Sequence, residues 1–212
     1  MSTSADPLGV RSGSTALVTS KVDRPVVTTT LRVDGQTLSV ALELDLAEGE
    51  RRRRAGIGAV HRTGLLHALW TLPEGLSFPV SSVEQRDVET LRELGAGTVE
   101  LDDTCAVRTY RPAGVVLAVG AMATSARAAV TAVGGYPTIF KRFALVSGAT
   151  VDPYEVDRAR GYGIGVSHLV DDEWVSVLEP GSAELGVPAV YRWWIAEIAY
   201  RNYLASEAHC TS

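Results

Sequence analysis

The stretch PVVTTTLRVDGQTLSVALELDL, Pro25 to Leu46, decides how the chain begins to fold. Val27, Thr29, Leu31 and Val33 alternate with Thr28, Thr30 and Arg32. Beyond Asp34-Gly35, Leu38, Val40, Leu42, Leu44 and Leu46 alternate with Ser39, Ala41, Glu43 and Asp45. A period of two puts every second side chain on one face of a strand, and Asp-Gly supplies the positive φ angles of a tight hairpin turn. The pattern predicts a β-hairpin over 25–46 whose leucine face must be covered by something later in the chain.

Working outward, the N-terminal residues 1–16 are rich in Ser, Thr and Gly and read as a disordered lead-in. After the hairpin, the charged run 47–54 reads as a strand-to-helix connection. Val60, Leu65, Leu66, Leu69 and Trp70 suit a helix over 59–71, followed by a loop bounded by Pro73 and Pro79. Ser81 and Glu84 have capping-box spacing for a helix over 82–94 that Gly95 ends. Residues 98–101 and 105–110 read as short strands around an Asp102-Asp103 turn, and the apolar run 114–119 as a buried strand. A helix over 124–134 capped by Thr124 or Ser125, a strand over 142–147, a helix over 152–160 opened by Asp152-Pro153, strands over 164–169 and 174–178, and a final helix over 188–206 complete the chain. The sum is an α/β fold: an N-terminal hairpin and helix, a mixed sheet flanked by helices in α-β-β-β-α-β-α-β order, and an aromatic C-terminal helix. The expected organisation is a hairpin–helix region over 17–80 joined to an α/β region over 81–212, the two packing as one compact unit.

Composition narrows the function classes. Of 212 residues, 46% are hydrophobic and 21% charged, the balance of a globular domain rather than a disordered one. With a net charge of −5, any nucleic-acid contact must come from a local basic patch. Lys21 and Lys141 are the only lysines among the basic residues and Asn202 is the only asparagine, a bias that reads as codon choice in a GC-rich genome. Cys105 and Cys210 match no metal-ligand spacing and are expected as free thiols in a reducing cytoplasm. No apolar stretch is long enough to span a membrane, and no signal-peptide pattern opens the chain.

The element order over 81–178, together with Arg111-Pro112-Ala113-Gly114-Val115-Val116-Leu117-Ala118-Val119-Gly120, resembles the restriction-endonuclease-like, or PD-(D/E)XK, nucleases. The resemblance implies a mixed sheet carrying an Asp after a Pro and a Glu-x-Lys pair on the next strand, which together hold Mg²⁺ and orient water. Here the matching positions are Ala113, Ala118 and Gly120, none of which can bind metal or move a proton. The resemblance therefore implies a module that has lost catalysis and works by binding nucleic acid or a nucleic-acid-processing partner. No cofactor is expected. A second likeness, of Ala55-Gly56-Ile57-Gly58 with His61, Leu65 and His67 to the first motif of the imidazoleglycerol-phosphate dehydratases, lacks its partner: Thr104-Cys105-Ala106 stand where further histidines belong.

Among candidate site residues, Arg51, Arg52, Arg53 and Arg54 form the one dense basic run, suited to forking phosphate oxygens. The alternative is a solvated connection balanced by Glu48 and Glu50. Asp102 and Asp103, with Glu100, Glu84 or Glu89, are the candidates for a cation site or for a hydrolase centre; ordinary turn chemistry is the competing account. His61 and His67, six apart, read as partly buried histidines, and His168 beside Asp171-Asp172-Glu173 as a polar strand end or an acid/base pair. Gly120 to Ser125 joins a buried strand to a helix start and could present amides to an anion, but it lacks a Walker lysine. On the final helix, Trp193, Trp194, Ile198 and Tyr200 belong to an apolar surface wrapping nearly the whole circumference, which points to core burial or to self-association in a homo-oligomer or larger complex.

Overall fold

The computed structural model describes residues 24–33, 35–95, 97–136, 138–182 and 189–210. The expected lead-in over 1–16, Asp34 of the hairpin turn, Pro137 and Pro188 lie outside them. The fold is mixed α/β, with a six-stranded mixed sheet and a separate three-stranded sheet. Two compact units divide the chain, Met1–Glu43 with Val116–Gly186 and Leu44–Val115 with Val187–Ser212, so no boundary falls at residue 80. The reason is pairing: the N-terminal hairpin belongs to the sheet built by residues after 115.

In the first unit, β1 (Val26–Val33) and β2 (Gln36–Leu44) form the antiparallel hairpin, with Leu31 opposite Leu38. Leu38, Val40, Leu42 and Leu44 are buried as the alternation requires. Leu46 breaks the expectation: it starts a helix and is 62% exposed. The sheet continues through β6 (Gly114–Ala123), β7 (Lys141–Val146), β8 (Ile164–Val170) and β9 (Glu173–Leu178), in the order β1-β2-β6-β7-β8-β9. β6, β7 and β8 run parallel, and β9 returns antiparallel to β8. Asp171 and Asp172, both with positive φ, make the two-residue turn between β8 and β9.

Parallel neighbours need crossovers, supplied by α4 (Ala126–Gly134) and α5 (Pro153–Gly161). Ser125 caps α4 by accepting from the Ala128 amide, and Asp152 caps α5 by accepting from Tyr154, with Pro153 at the first helical position as predicted. Ala126, Ala129, Val130 and Val133 recur at helical spacing and form the buried stripe of α4. α4 packs on β7 and β8, and α5 on β8 and on α4, so both crossovers lie on one face of the sheet. On the opposite face Ala41, Ala118, Phe143 and Leu145 cluster, with Trp174 half-buried beside them.

In the second unit, the charged run is no connection but helix α1 (Leu46–Ala55), capped by Asp45 accepting from the Glu48 amide at 3.0 Å and ended by Gly56 in the left-handed region. Glu48 and Glu50 each reach arginines three and four residues on, which offsets the missing apolar stripe. α2 (Thr63–Thr71) follows close to its predicted span. The expected loop between Pro73 and Pro79 contains β3 (Ser77–Pro79), which pairs with β5 (Cys105–Arg108); β4 (Val99–Leu101) takes the other edge of β5. β6 therefore does not join β4 and β5, because β3 occupies the remaining edge of β5. Pro79 is tolerated because β3 is an edge strand. The capping box at Ser81 and Glu84 does not form: Ser81 lies in a 3₁₀ turn, Val80–Ser82, and α3 (Gln85–Arg92) starts after Glu84 with no side-chain cap. α6 (Ala189–Cys210) closes the unit, its backbone helical through Cys210. Leu66, Leu69, Leu72, Leu91, Tyr110 and Trp193 are central to the core.

Backbone contact at the ends of the parallel strands generates a prediction. A Cβ on Gly148 would lie 2.0 Å from the Thr124 carbonyl oxygen, closer than any atom pair tolerates. Gly148→Ala should lower unfolding free energy by about 1–3 kcal/mol, the range for overpacking a rigid site, measured by urea denaturation.

Candidate functional site

Two places gather polar side chains, one in each unit. In the first unit the cleft lies beyond the carboxyl ends of β6 and β7, where open parallel sheets commonly bind ligands. The loops after these strands are tied together: the Ser147 amide donates to the Ala123 carbonyl at 3.0 Å, and His168 Nε2 lies 2.6 Å from the Gly148 carbonyl oxygen. The cleft encloses about 710 Å³. Ser125 and Arg127 face it from the start of α4, Thr150 from the loop after β7, and Asp152, Tyr154 and Arg158 from α5. The amino termini of two helices therefore open into one space, each carrying the partial positive charge of unsatisfied amides.

The charges in this cleft are unequal in freedom. Glu155 is buried and accepts from Arg158 at 3.1 Å, and Asp152 is held by its cap. Arg127 is exposed and, among the described residues, makes no ion pair or hydrogen bond through its guanidinium. Tyr154 is 74% exposed, an aromatic ring left in water at the lip. The arrangement can take an anion and stack a flat group beside it. Gly120 to Ser125, suggested by sequence as an anion-facing turn, contributes its last residues to this cleft. His168 turns to the Gly148 carbonyl rather than to an acid, and Asp171 and Asp172 serve the hairpin turn, so the suggested acid/base pair is not assembled.

In the second unit a network of charges is buried. Arg52 is 1% exposed and Glu197 is 0% exposed. Their fork-to-fork bonds measure 2.9 and 2.8 Å, and Arg52 Nε donates to Glu48 at 3.0 Å. Arg52 also donates to the Arg111 carbonyl oxygen, and its guanidinium lies 3.9 Å from the centre of the Tyr110 ring. The Tyr110 hydroxyl donates to Glu197 at 2.7 Å and accepts from the Val60 amide at 2.9 Å; Trp193 Nε1 donates to Glu197 at 3.2 Å. Arg51 completes the set, forking onto Glu48 at 2.8 Å and donating to the Gly97 carbonyl.

These geometries set the ionisation. Burial alone would push Glu48 up, but the hydrogen bonds from Arg51 and Arg52 outweigh it and hold Glu48 below its ordinary 4.5. Burial opposes the charge on Arg52, yet Glu197 and Glu48 raise its affinity for the proton. Burial and the neighbouring Glu197 charge push the Tyr110 hydroxyl up.

Four arginines expected to form one basic patch are thus divided. Arg52 is a correction: it is inside the protein, where no phosphate reaches it. Arg51 is bound to Glu48 and Gly97. Arg53 and Arg54 are exposed but share Glu50, which their hydrogen bonds pull down to about 2. Of the two accounts of the final helix, core burial and self-association, the 3% and 5% exposure of Trp193 and Tyr200 fits the first. Trp194 and Ile198 are half-buried, and Trp194 Nε1 donates to the His61 carbonyl at 2.9 Å. His61 and His67 are exposed rather than partly buried.

Asp102 performs turn chemistry. It accepts from the Cys105 amide, the Thr104 hydroxyl and the Thr104 amide, each at 2.7 Å, and these bonds hold its carboxyl well below the usual range. Asp103 is exposed beside it. Among the described residues no three His, Cys, Asp or Glu side chains gather where a metal ion could sit. Cys105 is a free thiol, its Sγ 3.5 Å from Asp102. Ala113 and Ala118 are buried; a Cβ on Gly120 would meet Leu145 at 3.3 Å. No helix among the described residues is long and apolar enough to cross a membrane.

The sign of Glu48's shift predicts a pH dependence. A carboxyl held lower in the folded state stabilises the fold above its unfolded pKa, and that stability is lost as pH falls through the folded value. Wild-type stability should therefore drop as pH falls below about 4.5. Glu48→Gln should lose about 1.5–3 kcal/mol at pH 7, the worth of hydrogen bonds to a charged group, and show a flatter decline in acid, both read from denaturation curves across pH.

No protein-family model matches this chain, and neither the curated proteins nor the solved structures include a significant match.

Proposed function

We propose that this protein is a non-catalytic binding module whose first unit takes the phosphate and base of a nucleic acid or nucleotide in the cleft beyond β6 and β7. One observation carries the reading: Arg127, a cation without a partner among the described residues, and the exposed ring of Tyr154 line the same 710 Å³ cleft into which two helix amino termini open. Helix amino termini and arginine attract phosphate oxygens, and an exposed tyrosine offers a stacking face to any base. The reading inherits the nucleic-acid target suggested by the nuclease-like element order but moves the contact from Arg51–Arg54 to Arg127 and Tyr154. Loss of catalysis is supported by Ala113, Ala118 and Gly120 at the metal-holding positions and by the engagement of Asp102 in its turn. We place the protein in the cytoplasm of a GC-rich bacterium on its arginine-rich, asparagine-poor composition and its expected free thiols.

Fluorescence anisotropy with labelled single-stranded DNA of about twenty nucleotides, at about 50 mM salt, tests this. Arg127→Ala should weaken retention and reduce the slope of log affinity against log salt by about one. Tyr154→Ala should weaken it by about 1–3 kcal/mol. The double substitution Arg53→Ala with Arg54→Ala should change little. Absence of retention by wild type, or loss only in the Arg53/Arg54 variant, would remove the proposal.

A further inference from the structure

A second cleft lies in the other unit, between α1 and α6, and encloses about 390 Å³. Leu44, Leu46, Ile57, Tyr203 and Leu204 give it apolar walls, and Asp45, Glu50 and Arg53 stand among its lining residues. Those charges are all engaged: Asp45 caps α1 and pairs with Arg111, and Glu50 pairs with Arg53 and Arg54. None is left to balance a charged guest.

Tyr200 belongs to the same lining, and its side chain is more than nine-tenths buried. One side of its ring faces the Arg52 guanidinium, 5.4 Å from the ring centre. Among the described residues its hydroxyl makes no hydrogen bond. Burial pushes the phenol up, so it remains neutral at physiological pH and able both to donate and to accept. The hydroxyl itself is not sealed from solvent, and with Tyr200 lining the cleft a guest's polar atom there would take the place of water. Gly49 keeps the hydroxyl reachable: a Cβ there would sit 3.3 Å from it. A glycine inside a helix costs about 0.5–1 kcal/mol relative to alanine, so its presence in α1 suits a place where space is needed.

We infer that this cleft binds a neutral, mainly apolar small molecule with one hydrogen-bonding group, a phenol, alcohol or ketone on an aromatic or alicyclic body, whose polar atom meets the Tyr200 hydroxyl. The volume falls at the small end of ligand pockets, about 300–1,000 Å³, and such sites combine apolar walls with few polar groups. The size suits a bicyclic ring better than a long chain.

The probe is 2-naphthol, followed by its own fluorescence against the full chain, with naphthalene as the partner lacking the hydroxyl. Wild type should bind 2-naphthol saturably at one site. Tyr200→Phe should weaken 2-naphthol about five-fold, the worth of one neutral hydrogen bond, and leave naphthalene unchanged. Gly49→Leu, which fills the cleft from α1, should weaken both probes at least ten-fold. Should Gly49→Leu fail to fold by circular dichroism, Leu204→Trp fills the cleft from its solvent-exposed side and should act alike. The inference is overturned by absence of saturable binding, by undiminished binding to the folded filling variants, or by equal loss of both probes in Tyr200→Phe. It is also overturned if light scattering shows a wild-type dimer that Leu204→Trp dissociates, because a second copy would then occupy the cleft.

Discussion

Arg52 cannot be left alone inside a protein. Removing a guanidinium from water carries a penalty that only close, well-directed partners offset, and the second unit is arranged around supplying them. Glu48 comes from the same helix one turn earlier, Glu197 from the C-terminal helix 145 positions away, and the Arg111 carbonyl and the Tyr110 ring from the segment after β5. Tyr110 and Trp193 then close the remaining valences of Glu197 while belonging to the apolar core. A network in which each member is satisfied is rigid and specific to one arrangement. It aligns α1 and α6, and so shapes the cleft that those two helices line.

The first unit rests on a different constraint. Parallel β6, β7 and β8 oblige the chain to cross over twice, and both crossovers begin their helices at the same edge of the sheet. The caps Ser125 and Asp152 satisfy only part of each helix start, which leaves that edge polar and positively polarised. Arg127 and Tyr154 occupy the first turns of those helices, so the candidate site follows from where the topology begins each helix. The close packing of Gly148 against Thr124 holds the two loops in place beneath it.

Most of the first unit could be read from residues. Alternation located the hairpin, apolar runs located β6 and β7, and Asp152-Pro153 located the start of α5, because each signal is local and agrees with the tertiary environment. The element order from α3 to β8 also emerged as expected, though β4 and β5 pair in a sheet of their own. In the second unit the local signal misled. α1 has no apolar stripe, so periodicity passed it over, although Asp45 three residues before Glu48 and Glu-to-Arg spacings of three and four would have marked it. A dense basic run suggested a phosphate grip because sequence does not reveal which arginine points inward. Glu197 carried a faint signal, a lone acid amid Trp193, Trp194, Ile195 and Ile198, but its partner depends on a contact far along the chain. The exposed Tyr154 and unpaired Arg127 had no motif at all; they become a site only when two helix starts meet.

The most direct test of this account is a double-mutant cycle between Arg52 and Glu197, using Arg52→Met, Glu197→Leu and the pair, with unfolding free energies from urea titration. Each single change should lose about 3–5 kcal/mol by stranding a buried charge, and the double variant should lose less than the sum by about 2 kcal/mol or more. Additive losses, or single changes within about 0.5 kcal/mol of wild type, would show that the pair does not organise the unit.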